Sequence, residues 1–98
     1  MTWRLSYARW ARRMRPATLH QDTLDRQRQV LGEDHPHTLL SAHNLAADLR
    51  ALGEVRAARD LAQDVLDRLR RILGEDHPGT LDSAGYLAMI LRDLYPAP

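Results

Sequence analysis

The sequence predicts an all-α protein, a superhelical stack of about five antiparallel helices. Three observations point there. Residues 22–52 reappear 42 positions later as residues 64–94, with 20 of the 31 pairs identical. A period of that size marks an architecture in which each unit hides its apolar stripe only against its neighbours. Within each unit the apolar residues recur at three- and four-residue steps, the period of a helix and not of a strand. Between these stretches, Leu31-Gly32-Glu33-Asp34-His35-Pro36 and Leu73-Gly74-Glu75-Asp76-His77-Pro78 stop one helix and start the next.

The elements come in order along the chain. Trp3, Tyr7, Trp10 and Met14 lie at steps of four, three and four and predict a helix over 2–14, ended at Pro16. Shifted by one period, residues 5–10 fall where the first helix of a repeat would end, so the segment reads as a cap on the repeats. Residues 16–31 are an earlier copy of the longer helix of the repeat, ended by Gly32. Residues 36–52 carry Leu39, Ala42, Leu45, Ala46, Leu49 and Leu52 on one stripe, closed by Gly53. Residues 55–73 carry Ala58, Leu61, Ala62, Val65, Leu66, Leu69, Ile72 and Leu73, and Gly74 then supplies a left-handed cap. The last helix, 79–94, is preceded by Pro78, whose missing N–H costs nothing at a helix start, with Asp76 or His77 to serve the free amides. The division is thus a basic cap over 1–15, a half repeat over 16–35, a full repeat over 36–77, a half repeat over 78–94 and a tail over 95–98.

Composition bounds the function. Ninety-eight residues make one small domain. No apolar run reaches the ~20 residues of a membrane-spanning helix. The absence of cysteine removes disulfides, thiolate metal sites and cysteine catalysis. Residues 1–15 hold five of the fourteen arginines and no acid, while the rest of the chain is mildly acidic and would not follow a phosphate backbone. The lack of lysine and phenylalanine beside 17 leucines and 13 alanines points to GC-rich coding and a bacterial source.

No chemistry assembles. Asp34, His35 and His37 lie close together, but the second copy has Gly79 in place of His37, and capping already accounts for the acid and the proline, so no metal is expected. Ser41 and Ser83 lie inside stacking helices without a Gly-rich elbow or a base at fixed distance. Asp22/Asp25 and Asp64/Asp67 share their helices with Arg26 and Arg68 and read as solvated ion-pair faces. No catalytic residue, cofactor or metal is assigned.

The 42-residue unit, with Leu-Gly-Glu-Asp-His-Pro-x-Thr-Leu followed by Asn44-Leu45-Ala46, resembles the kinesin-light-chain-like class of tetratricopeptide repeats over residues 16–94. It looks most like the actinobacterial repeat proteins of the LGEDHPDTL and NNLA pattern. The resemblance implies a right-handed superhelix whose concave face binds a peptide or partner protein. It implies that Asn44 holds the backbone of an extended peptide, with His43 where the family has a first asparagine and Gly85 and Tyr86 in the second copy. In many such bacterial proteins the repeats follow a nucleotide-binding switch domain; a chain without lysine has no Gly-Lys-Ser/Thr phosphate loop and is not that switch.

The expected function is a cytoplasmic, non-enzymatic protein–protein interaction module. Its peptide-facing side would carry His43, Asn44 and Arg50. Where the first copy has Asn44, Ala47 and Asp48, the second has Tyr86, Met89 and Ile90, and these three are expected to form an apolar end surface for self-association as a homodimer. The rival reading makes residues 1–15 a basic amphipathic tether to an anionic membrane or nucleic acid, or a cleaved targeting segment. A third is a remnant of a longer repeat protein. Neither membrane nor nucleic acid is the expected partner.

Overall fold

The computed structural model describes residues 16–96. Four helices succeed one another: α1 (Pro16–Leu31), α2 (Pro36–Ala51), α3 (Val55–Leu73) and α4 (Pro78–Leu94). The expected helix over 2–14, with its Trp3, Tyr7, Trp10 and Met14 stripe, lies outside the described residues. Each helix packs on the one before it in the chain, as stacked hairpins do.

The boundaries fall where the local chemistry puts them. The shared six-residue block makes the same turn twice. His35 and His77 hold φ of −66° and −68° with ψ of 138° and 139°. Each imidazole Nδ1 accepts the backbone N–H two residues on, from His37 at 3.1 Å and from Gly79 at 3.0 Å. Histidine is thus the N-cap of both α2 and α4, and the aspartate before it is free for other work. The next residue, proline, begins the helix, so α4 starts at Pro78, one residue before the expected position. At the other end of α2, Leu52 is the C-cap and not the last helical residue. The N–H of Gly53 donates to Arg50 O at 3.0 Å and that of Glu54 to Leu49 O at 2.8 Å, the paired bonds of a Schellman ending. Gly74 closes α3 differently. Its φ of 89° has the expected sign, but its ψ of 162° is extended and not left-handed helical, a region that side-chain-bearing residues avoid.

The core runs along the stack in two clusters. One joins Leu24 of α1 to Ala42 and Leu45 of α2 and Val65 of α3. The other joins Ala46 of α2 to Ala58, Ala62 and Leu66 of α3 and Leu87 and Ile90 of α4. Alanines at the α2–α3 contact bring the two backbones close, and the larger side chains fill the space to either side. The equivalent threonines differ. Thr80 donates to Leu69 O of α3 at 3.4 Å, whereas the buried Thr38 hydroxyl has no partner among the described residues.

The loop after α1 is pinned to α3. Arg68 reaches Glu33 Oε2 and Asp34 Oδ1 at 2.8 Å each and Asp64 Oδ2 at 3.0 Å, while Arg71 reaches Asp34 at 3.0 Å. The Arg68 guanidinium, with Arg71 beside it, holds the Asp34 carboxyl below its ordinary value. Asp34, expected to serve a helix start, is therefore a clamp between units.

Candidate partner-binding surface

α2, α3 and α4 enclose one side of an apolar groove of about 300 Å³. Leu39 and Leu40 come from α2, and Val65, Leu69, Ile72 and Leu73 from α3. Polar groups also line it: His43 of α2, Asp82 and the buried Ser83 of α4, and Asp34 from the loop. The helical period accounts for the set. Pro36, Leu40 and His43 lie on successive turns of α2, as Val65, Leu69 and Ile72 do on α3. Leu40 is 60% exposed and Ile72 45% exposed, so the groove presents wet apolar surface. Asp82 is exposed and has no ion pair among the described residues.

Beyond the groove, α2 and α4 touch through polar side chains. The rings of His43 and Tyr86 lie 4.8 Å apart at an interplanar angle of 56°. Arg50 Nε donates to Asp93 Oδ2 at 2.6 Å, and this carboxylate, with a smaller contribution from the Tyr86 hydroxyl, holds Arg50 charged above its ordinary range. On the other side of α2, His20 of α1 meets Asp48.

The three residues expected on the peptide-facing side therefore divide. His43 lines the groove. Arg50 is engaged with Asp93. Asn44 is exposed, lies outside the groove lining and has no hydrogen bond among the described residues.

The expected end surface is corrected by the structure. Ile90 is fully buried, packed in the cluster with Ala58, Ala62 and Leu66. Its place, three residues after Leu87 and seven after Ser83, puts it on the stripe that α3 covers. Tyr86 is half-buried beside His43, and of the three only Met89, 46% exposed, faces solvent. The outward face of α4 is instead Leu81, Ala88 and Leu91. The signal that could have found it was the repeat itself, because these are the copies of Leu39, Ala46 and Leu49.

His35 and His37 stack at 5.3 Å, with the His35 ring spent on capping. Among the described residues no helix is long and apolar enough to cross a membrane.

No curated protein matches the sequence. The profile of the tetratricopeptide repeat family matches residues 17–37 and 38–79, more than half of the chain. Its second unit takes in α2 from its third residue, α3, and the turn that leads into α4. Repeated helical hairpins, the doubled Gly-Glu-Asp-His-Pro turn and this match agree, and the chain belongs to the tetratricopeptide repeat family.

Proposed function

We propose that this chain acts as tetratricopeptide repeats generally do, as a scaffold for protein–protein interaction. We propose that this chain, as a member of the kinesin-light-chain-like class, binds an extended segment of a partner protein in the groove between α2, α3 and α4. The observation that carries the proposal is the apolar floor of exposed Leu40 and Ile72 with half-buried Leu69 between them, beside the carboxylate of Asp82, which has no ion pair among the described residues. That pairing suits a segment with an aliphatic side chain next to a lysine or arginine, since the ligand's charge would find an unengaged acid at the rim. His43 would meet its backbone, whereas Asn44, outside the groove lining, and Arg50, held by Asp93, would not contact a ligand seated there. The lysine-free, leucine- and alanine-rich composition supports a bacterial source.

The test is selection of peptides from a random display library on the full chain, then titration of the selected peptides by fluorescence anisotropy. Ile72→Glu should weaken binding at least tenfold and Asp82→Asn should remove the preference for a basic residue, both with the helical circular dichroism unchanged. Peptides that bind the Ile72→Glu chain as well as the original would overturn the groove as the site.

A further inference from the structure

In a repeat protein every internal contact is a template for what its ends can bind. Here α3 covers α2, leaving Leu39 7% exposed and Ala46 fully buried. One period later the same side chains stand on α4 as Leu81, 56% exposed, with Ala88 and Leu91 exposed on adjoining turns. Among the described residues no helix covers them. The helix type that would cover them is that of α3, and α1 is its copy, with residues 22–31 aligned to 64–73.

The charges repeat in the same way. Inside the chain, Arg68 of α3 clamps Glu33 and Asp34 of the loop before α2. The counterpart of Arg68 one period earlier is Arg26, exposed on α1 and without ion pair or hydrogen bond among the described residues. The counterparts of Glu33 and Asp34 one period later are Glu75 and Asp76, in the loop before α4. Asp76 has no partner among the described residues, and Glu75 has only Arg70 at 4.0 Å. Among the described residues, the two halves of an ion-pair joint that is closed once inside the molecule are thus left unjoined, one on α1 and one before α4.

We infer that the chain associates head to tail with a second copy of itself, the outer face of α4 receiving α1 of the next molecule. Arg26 of that molecule then reaches Glu75 and Asp76 as Arg68 reaches Glu33 and Asp34. Leu19, 48% exposed, takes the place that Leu61 has on α3, whereas Thr23 and Gln27 replace Val65 and Leu69. The joint is more polar than the internal one, so it leans on the charges and weakens with added salt. Such a contact is heterologous and leaves each new end open, so assembly proceeds as a ladder and not to a closed pair.

Sedimentation velocity on the full chain, from micromolar to submillimolar concentration, tests this. The original chain should show mass above the monomer that rises with concentration. Arg26→Glu disables the α1 end and Ala88→Arg the α4 end; both positions are exposed in the single molecule, and circular dichroism confirms that the variants fold. Each variant alone should stay monomeric where the original assembles, and an equimolar mixture should give a dimer and nothing larger, because one intact joint remains between them. A chain that is monomeric throughout overturns the inference. Assembly of Arg26→Glu alone overturns it in favour of a two-fold contact between α4 faces, and a mixture that stays monomeric overturns it as well. The joint is separate from the groove, so loss of peptide binding and loss of assembly are read independently.

Discussion

His35 and His77 take a position where Asn, Asp, Ser or Thr are the usual residues, and that choice releases the preceding aspartate. The ring nitrogen satisfies one amide of the new helix. The acid, one residue further from the helix, can then reach sideways to a neighbouring unit, as Asp34 does to Arg68. Position 90 shows the opposite economy: an apolar residue that looks like surface from its copy Asp48 is the best-buried side chain of α4. Ile90→Ala should cost about 2–5 kcal/mol in denaturant unfolding, the range for large-to-small changes in a close-packed core. Met89→Ala should cost under about 1 kcal/mol, because the side chain is half in water already. Equal losses at the two positions would contradict this account of the α4 faces.

At the scale of elements, the turn between α1 and α2 is held by charge and the hairpin α2–α3 by alanine-mediated close approach. The clamp has a pH signature. Hydrogen bonding to Arg68 lowers the Asp34 pKa below 3.8, its ordinary value, so the folded state holds the proton less readily than the unfolded chain. The clamp's contribution is therefore complete above pH 3.8 and is lost as pH falls through the lowered value. Thermal melts should show the original chain more stable than Asp34→Asn at neutral pH, with the gap closing in acid below that point. A gap that persists unchanged in strong acid would assign the effect to packing. The same clamp should respond to salt, because Asp34 and Glu33 are half in solvent or more.

For the whole stack, stability is a sum over neighbours, and among the described helices α2 and α3 have two while α1 and α4 have one. Amide hydrogen exchange should find α2 and α3 slowest, with α1 and α4 opening first. Protection of α4 equal to that of α3 in dilute solution would mean that its outer face is covered. Much of this arrangement was legible in the sequence, for a reason peculiar to repeats: a copied sequence labels its own caps, stripes and period. Gly32, Gly53, Gly74, Pro36 and Pro78 mark helix ends through backbone constraints that act within a few residues. The sequence by itself determined the four described helices and their order in the stack, because these arise from local propensity and from periodicity. Only the tertiary structure decided that Ile90 points inward, that Tyr86 meets His43, that Arg50 is bound to Asp93, and that Asp34 clamps a neighbour. Those outcomes depend on which side of each helix its neighbours occupy, and a stripe broad enough to serve two neighbours does not reveal which of its edges is left facing water.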